Sequence, residues 1–445
     1  MRIRAALRSA VLLVLVMVSY RGGIAQAGPA PPPQHLRLTM KEAVRLALKQ
    51  NPQVVAARIL TLQSDRDRQI VRADLLPQVS LGMNMALEQS NFQTFEKLPA
   101  PKATGPFQYI EGGPVFSQSV LDLPLIRRYQ ISREGVRQSR AQQDVTREDI
   151  TATVVTQYLL VLRAFAVYDA AKARVALAQR LYDQAVHLQS TGIGLNIDTT
   201  RAQVELQNER QNLINAETQT HTTTYVLAEL LDLPREQEPE LAETLQFFNL
   251  PSYEVAASIT SALAHRPEMQ ALASQERIAG LERKSAGEQR LPQIDFSGFW
   301  YYQGEHFSDA IAAYTYLGSL EIPLFTGGRI QAEIARADLE QKRIAQNRQL
   351  LEARIVREVK SAIDELEAAR TAVSVANLGL TLANEEVGQA QRRFQAGVTT
   401  NVEVVQAQDA LARANANQIE ALYRFNQSRA NLARAMGEVE NTYAQ

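Results

Sequence analysis

The chain has 445 residues, no cysteine, and nearly equal numbers of basic and acidic side chains, 47 and 48. A formal net charge of −1 gives nucleic-acid binding no electrostatic support. The absence of cysteine excludes a disulfide framework, a thiolate zinc site, and the lipid-modified cysteine that a bacterial lipoprotein carries just after its signal.

The first segment, residues 1–27, has the pattern of an export signal peptide. Basic side chains open it, an unbroken apolar run fills residues 11–18, and Ala25 and Ala27 form a small-residue cleavage site. That run is shorter than the ~20 residues of a membrane-spanning helix, and no later stretch is comparably free of charge. We therefore expect a mature chain that starts near Gly28 and contains no transmembrane helix.

The rest of the chain contains the same unit twice, because short landmarks recur in the same order. The landmarks are Asn51-Pro52, Leu76-Pro77-Gln78, Leu123-Pro124-Leu125 and Thr191-Gly192-Ile193 in the first half, and Arg266-Pro267, Leu291-Pro292-Gln293, Ile322-Pro323-Leu324 and Ala396-Gly397-Val398 in the second. We therefore predict a first repeat at residues 36–232, a linker at 233–252, a second repeat at 253–437 and a tail at 438–445.

Each repeat is predicted to contain a pair of β-strands. The predicted strands are residues 78–90 and 114–123 in the first repeat and 292–303 and 314–323 in the second. In the first of them, Leu81, Met83 and Met85 alternate with Ser80 and Asn84, which gives one apolar and one polar face. Strands of about ten residues with this alternation are typical of a tilted membrane barrel, although a small soluble sheet alternates in the same way.

Aromatic side chains favour the membrane interpretation. They make up only 6% of the chain, yet Trp300, Tyr302, Tyr314 and Tyr316 lie in one predicted hairpin. Such crowding is typical of the aromatic girdle of a membrane barrel. An open sheet edge in lipid leaves backbone groups unpaired, so a few strands cannot form a barrel alone. We therefore expect several identical chains to close it.

Long paired helices follow each strand pair. The predicted pairs are residues 126–190 with 196–231 and residues 329–395 with 401–436. No proline, the strongest helix breaker, occurs between Pro124 and Pro234 or after Pro323. The longer helices reach on the order of 100 Å, and their apolar residues follow heptad-like steps. The predicted fold is therefore mainly α, with coiled-coil hairpins and a membrane β-barrel portion.

The two helices of each pair are predicted to meet at a glycine turn. The turns are Thr191-Gly192-Ile193 and Ala396-Gly397-Val398. The glycines fit left-handed helix ends, and the turns are equally candidates for contact with a partner protein. Asp198 and Glu403 occupy matched positions just beyond these turns. The helix dipole explains acids there, and a ring of acids around a cation-admitting constriction explains them equally well.

No residues in the sequence form a catalytic or metal-binding constellation. The five histidines are scattered, and no two have the spacing of a shared metal site. The segment Gly192-Ile193-Gly194 lacks the third glycine and the preceding strand of a dinucleotide loop, and there is no Walker motif. We therefore predict that the protein is not an enzyme and uses no cofactor or metal.

A set of family motifs covers nearly the whole mature chain. The motifs are Leu76-Pro77-Gln78, Ile322-Pro323-Leu324-Phe325 before Gly327-Gly328, and residues 394–397 followed by Val404, Ala407, Gln408 and Leu411. In this order they resemble the TolC family of outer-membrane efflux proteins. The resemblance implies a homotrimer in which four strands from each subunit close a barrel in outer-membrane lipid. It also implies a helical tube across the periplasm, whose tip meets a periplasmic adaptor protein and an inner-membrane pump.

The resemblance further implies a gate at the tip of the tube. In the family, acids just past the second turn constrict the periplasmic entrance, and Glu403 has that position. The next acid of the ring would fall at Gln406, so the ring is expected to be less negative here. Phe394 and Thr399 replace the residues that latch the tip in some relatives, so we expect the closed state to be held differently.

Two functions remain open at the level of sequence. The first is a passive outer-membrane exit duct of a tripartite efflux or type I secretion system, which carries substrates from the periplasm or a pump to the exterior. The second is a periplasmic coiled-coil adaptor or scaffold without a membrane barrel. High salt without detergent would release the second kind of protein from membranes.

Overall fold

A computed structural model describes residues 36–91, 103–192, 195–396, 398–399 and 401–444. The helices are α1 (Met40–Gln50), α2 (Pro52–Ala73), α3 (Leu123–Ser190), α4 (Asn196–Leu230), α5 (Val255–His265), α6 (Pro267–Glu288), α7 (Arg329–Gln395), α8 (Asn401–Met436) and α9 (Val439–Ala444). The strands are β1 (Leu36–Leu38), β2 (Gln78–Asn91), β3 (Ala103–Leu121), β4 (Pro239–Leu241), β5 (Gln293–Gly304) and β6 (Ile311–Glu321). The predicted signal peptide, Ile193 and Gly397 lie outside the described residues.

The start of the first repeat is set by local capping interactions. In α1, the Thr39 hydroxyl accepts a hydrogen bond from the Glu42 backbone N–H, and the Glu42 carboxylate accepts one from the Thr39 backbone N–H. In α2, the Asn51 side chain accepts from the Gln53 backbone N–H, and Pro52 occupies the first turn, where no N–H partner is needed. The Asn51-Pro52 landmark is therefore the junction between two consecutive helices.

Two long helical hairpins carry most of the chain. The helix α3 has 68 residues and α7 has 67, so each is on the order of 100 Å long. The α3 helix packs along α4, and α7 packs along α8. Their polar outer residues form ion pairs along one helix or between neighbours, such as Arg343 with Glu340 and Arg283 with Asp338. Such exposed pairs each contribute little to stability, so buried apolar stripes must hold the hairpins.

Two apolar cores lie where the short helices of each repeat pack against the long ones. In the first, Val154, Tyr158 and Leu159 of α3 pack with Val44 and Leu227, all of them almost fully buried. The Tyr158 hydroxyl donates to the Leu38 carbonyl oxygen at 3.0 Å, which ties the β1 strand to α3. Burial raises the pKa of Tyr158 well above its ordinary value, so the phenol remains a donor.

The second core repeats this arrangement in the other half of the chain. Ile355 and Val359 of α7 pack with Phe425 and Leu432 of α8 and with Ala262 of α5. Each of these residues is buried. The heptad-like stripes of the sequence thus form the seams between helices.

One part of α3 bears on the expectation that the mature chain contains no transmembrane helix. Within the described residues, α3 contains a window that is long and apolar enough to cross a membrane, although none was expected after the signal. Half of that window is buried inside the protein. Its apolar side chains, among them Val154, Val155 and Val161, belong to the first core. The window is accounted for by core packing.

Several predicted element boundaries differ from the structure. The α3 helix begins at Leu123 rather than residue 126, because Pro124 fits the first turn and the Asp122 carboxylate accepts the Leu125 N–H at 2.9 Å. The β3 strand runs Ala103–Leu121 rather than 114–123, since its glycines and prolines hide the alternation. The β6 strand starts at Ile311 rather than 314.

The predicted linker and tail contain secondary structure of their own. Within 233–252, β4 pairs in parallel with β1 through Leu36 and Pro239. The tail contains α9, which packs against α3. The Glu148 carboxylate of α3 accepts the Val439 and Glu440 backbone N–H groups at 3.1 and 3.4 Å. Burial raises the pKa of Glu148 to about 7, against the opposing effect of these two donors.

Candidate functional site: an amphipathic sheet and two helical tips

The two outer strands of the four-stranded sheet each have one edge without a neighbouring strand in the single chain. The strands follow the order β2-β3-β5-β6, and every neighbouring pair is antiparallel. β3 joins the hairpin of the first repeat to that of the second. β2 and β6 therefore form open edges within one chain, each with a row of free backbone hydrogen-bonding groups.

The strand register places the predicted girdle residues on one face. Met83 pairs with Gly112, which pairs with Tyr302, so these three residues point to the same side of the sheet. Trp300 shares that side two residues away and lies opposite Tyr314. The face also carries apolar residues of β2 and one further tyrosine: Val79, Leu81, Met85, Leu87 and Tyr316.

This apolar face is exposed in the single chain. Leu81 is 82% exposed and Tyr314 is 69% exposed. A contiguous patch of this kind is rare on a soluble monomer and marks a surface that meets lipid or another protein. The opposite face carries polar residues such as Ser80, Asn84 and Thr315. The sheet therefore has the two faces that a barrel wall between lipid and water requires.

A glycine allows the two hairpins to approach closely. A Cβ atom added to Gly113 of β3 would lie 2.0 Å from the Trp300 carbonyl oxygen and 2.7 Å from the Tyr301 Cα. No real Cβ tolerates such contacts, so only glycine permits the pairing of β3 with β5 at this point. Gly113, one of the residues that hid this strand in the sequence, is thus required for the pairing of the two hairpins.

The two glycine turns lie at the same end of the molecule. Leu181, near the end of α3, packs against Val387 and Ala390 of α7 and Val404 and Ala407 of α8. This small apolar cluster joins the tip of the first hairpin to the tip of the second. Apolar side chains beyond the cluster remain exposed around the turns, and these are Leu195, Ile197, Val398 and Val402.

The first tip is held by a network of uncharged side chains. Gly192 has a φ of 77°, so the α3 helix ends on a left-handed glycine as predicted. The Thr199 hydroxyl donates to the Gln189 side-chain oxygen at 2.7 Å, and the Gln189 amide donates to Asn196 at 3.3 Å. The exposed Thr191 hydroxyl is within hydrogen-bond distance of the His187 and Leu188 carbonyl oxygens. Asp198 lies in the first turn of α4, 3.8 Å from an Arg201 nitrogen.

The second tip is held by charged and hydroxyl groups. The α7 helix ends at Gln395 with Ala396 as its C-cap, and the Val398 N–H donates to the Arg393 carbonyl oxygen at 3.0 Å. One Glu403 carboxylate oxygen lies 3.0 Å from the Arg393 Nε, and the other accepts the Thr399 hydroxyl. Gln406 lies one turn further along α8 with its side chain exposed.

The structure brings together some predicted residues and separates others. Glu403 and Asp198 lie at the same end of the molecule, but no hydrogen bond or ion pair between them occurs in the described part of the chain. Each acid instead has an arginine from its own hairpin. The sequence analysis missed Arg393 as the partner of Glu403. Arg393 contacts Glu403 across the turn. The matched position in the first repeat is Leu188, so comparison of the two repeats does not reveal this pair.

Metal-binding geometry is not found among the residues that the structure describes. No group of three or more His, Cys, Asp or Glu side chains there has an arrangement that fits a metal ion. Several acids of α7 and α8 are instead paired with arginines along the helix surface, for example Glu352 with Arg348. The features that distinguish this chain are therefore the amphipathic sheet and the two tips.

Comparison with known proteins agrees with this geometry. Residues 43–232 and 258–438 match the profile of the family described as outer membrane efflux protein. The pyoverdine export outer membrane protein OpmQ of Pseudomonas putida is 24% identical over 413 residues, which cover 86% of this chain and 83% of OpmQ. The outer membrane protein TolC of Vibrio cholerae is 22% identical over 380 residues, which cover 82% of this chain and 83% of TolC.

Solved structures show the same fold. The CmeC outer membrane channel of Campylobacter jejuni superposes with a TM-score of 0.78 at 16% identity, over 90% of this chain and 85% of CmeC. The predicted fold class and the resemblance to the TolC family are thus confirmed, and the channel is favoured over the soluble adaptor. Because the matched residues span both repeats, the chain belongs to the outer membrane efflux protein family and is an outer-membrane efflux channel.

Proposed function

We propose that this channel is a passive homotrimeric exit duct with no chemical step of its own. The observation that carries the proposal is the four-stranded sheet with one exposed apolar face and two open edges. Open edges in lipid leave backbone groups unpaired, so β6 of one copy must pair with β2 of the next. The long hairpins then continue the barrel as a water-filled tube into the periplasm, and the aromatic face with Trp300, Tyr302, Tyr314 and Tyr316 forms its interfacial girdle.

The partners of the duct meet it at the helical tips. Exposed apolar side chains at Leu195, Ile197, Val398 and Val402 surround the two glycine turns. Such side chains on an otherwise polar helical surface are suited to contact with a second protein. We assign this end to a periplasmic adaptor protein, which joins the duct to an inner-membrane pump that supplies the energy.

The same tips form the periplasmic constriction. Glu403 lies in the first turn of α8, Asp198 lies in the first turn of α4, and Gln406 lies one turn beyond Glu403. Copies around a common axis bring these side chains into rings, and a ring of carboxylates favours cations in a narrow pore. The gate is therefore assigned to Glu403 with Asp198 and Gln406 as the flanking positions.

Closure by copies of this chain is tested with cysteine pairs, since the natural chain has none. Ser80→Cys in β2 is combined in turn with Thr315→Cys, Leu317→Cys or Ser319→Cys in β6. All four positions lie on the same face, because Ser80 is connected to Thr315 through successive register pairs. We expect one combination to give disulfide-linked trimers in outer-membrane fractions, on denaturing gels without reductant.

The controls use the alternation of the strand. Each single-cysteine variant should remain a monomer on the same gels. The pair of Ser80→Cys with Gly318→Cys should also remain unlinked, because position 318 points to the opposite face. If none of the three same-face pairs forms a disulfide-linked species in outer-membrane fractions, the proposed closure of β6 on β2 is wrong.

A further inference from the structure

The acid at the second tip is not a free charge. The Glu403 carboxylate receives Arg393 on one oxygen, at 3.0 Å from the guanidinium Nε, and the Thr399 hydroxyl on the other. Both partners belong to the same hairpin as Glu403. Arg393 lies in the last turn of α7, and Glu403 lies in the first turn of α8, so the pair spans the turn itself.

This pairing is specific to the second hairpin. In the first hairpin, the repeat-matched residues of Arg393 and Thr399 are Leu188 and Gly194, neither of which has a charge or a hydroxyl group. Asp198 lies 3.8 Å from Arg201, a residue one turn along the same helix. Among the described residues, an arginine that pairs across the turn is therefore seen at Glu403 and not at Asp198.

The pair changes the charge that the constriction presents. A ring built from Glu403 alone would be negative and would concentrate cations. With Arg393 bound to each Glu403, the ring alternates between guanidinium and carboxylate groups, and their fields cancel beyond a few ångströms. Arg392 lies in the same helical turn, but Glu403 is paired with Arg393 and not with Arg392. The tip therefore has no excess of negative charge in the pairs that the structure describes.

We propose that Arg393 is a specificity-determining residue of the duct, because it neutralises Glu403 and makes the constriction nearly indifferent to the sign of the charge on its cargo. This inference rests on the proposed function, which places Glu403 at the constriction. It predicts that the duct passes small anions and cations at comparable rates. It also predicts that Arg393 and Glu403 act as one unit. Removal of Arg393 should shift ion selectivity toward cations, and removal of Glu403 should shift it toward anions.

The size of the effect follows from the exposure of the pair. The Arg393 and Glu403 side chains are 56% and 40% exposed, so water screens them strongly. A unit charge at salt-bridge distance in water changes the local concentration of a monovalent ion by about fivefold. Since added salt weakens this effect further, we expect Arg393→Gln to raise the cation-to-anion permeability ratio about two- to fivefold at about 0.1 M salt.

The experiment measures reversal potentials of single channels in planar bilayers under a KCl gradient. The variants are Arg393→Gln, Glu403→Gln, the double variant, and Arg392→Gln as a control that removes the same charge from the neighbouring position. Arg393→Gln should shift the duct toward cations, and Glu403→Gln should shift it toward anions. The double variant should return close to the natural ratio. Arg392→Gln should change it less than Arg393→Gln.

The outcomes separate this inference from the proposed function. Channels that open with an unchanged ratio in Arg393→Gln, or with the same change in Arg392→Gln, overturn the role of Arg393 and leave the duct in place. A cation shift in Arg393→Gln that persists in full in the double variant shows that Arg393 does not act through Glu403, and this also overturns the inference. If the natural protein opens no channels, the proposed function fails and the inference fails with it.

Discussion

Arg266 offers the sharpest stability prediction, because it is a charged side chain buried at the junction of the second repeat. It is 3% exposed and binds Glu268 at 2.7 Å and Glu358 at 2.6 Å. Burial alone would raise the pKa of Glu268, but the hydrogen bond and charge of Arg266 hold that pKa below its ordinary value. The positive charge of the guanidinium thus offsets the cost of desolvating these two carboxylates.

The perturbation is Arg266→Met, which keeps the length of the side chain and removes its charge and donors. Glu268 and Glu358 then lose their shared buried partner, and the loss from breaking a buried ion pair on one side is about 3–5 kcal/mol. The matched control is Arg354→Met. Arg354 also binds Glu358 at 2.6 Å, but it is 61% exposed. Its removal should cost less than about 1 kcal/mol.

The assay is denaturant unfolding of the detergent-solubilised protein, followed by the helical circular-dichroism signal at fixed protein concentration. Arg266→Met should lower the apparent free energy of unfolding by at least about 2 kcal/mol more than Arg354→Met does. If the apparent free energies of unfolding of the two variants lie within about 1 kcal/mol of each other, burial does not determine how much these ion pairs stabilise the protein, and the reasoning is refuted.

Two further predictions concern the sheet and the docked C-terminal helix. Gly113→Ala should prevent assembly of the sheet, because the added methyl would lie 2.0 Å from the Trp300 carbonyl oxygen. Gly318→Ala, which meets nothing within 4 Å, should assemble normally, and the yield of oligomer in outer-membrane fractions measures both. Burial raises the pKa of Glu148 to about 7 from an ordinary 4.5, so stability should fall as pH rises from about 4.5 to 7. The full shift corresponds to about 3 kcal/mol, which solvent screening of this partly exposed group reduces to about 1–2 kcal/mol. Glu148→Gln should flatten that slope in unfolding titrations.

Each of these has a clear contrary result. Equal oligomer yields from Gly113→Ala and Gly318→Ala would mean that β3 and β5 do not approach as closely as described. A stability that rises between about pH 5 and 7, or a slope that is the same in Glu148→Gln, would mean that Glu148 is not the group that titrates there.

The helical part of the fold was largely accessible from sequence, because its signals are local. The absence of prolines and the repeated glycine turns place α7 at the predicted residues, and Asn401 begins α8 as expected. The β3 strand was less accessible. Its middle contains Gly112, Gly113 and Pro114, which signal turns in isolation but form a strand once β2 and β5 lie on either side.

The candidate site could be predicted only in part from the sequence, because one of its contacts depends on the folded turn. The repeat made Glu403 stand out, since Asp198 occupies the matched position. Nothing in the repeat marks Arg393, because its pairing depends on how the chain crosses the turn. Similarly, residues 438–445 were predicted only as a tail, and the contacts that dock α9 come from α3: the Glu148 carboxylate receives its backbone N–H groups, and Arg147 pairs with Glu440.

Conductance of the purified protein in a planar bilayer, measured together with the oligomeric mass of the same preparation in detergent, distinguishes a channel from a water-soluble protein. A passive trimeric duct predicts discrete channel openings from a species whose mass corresponds to three chains, without any added energy source. A water-soluble monomer that opens no channels would contradict the account.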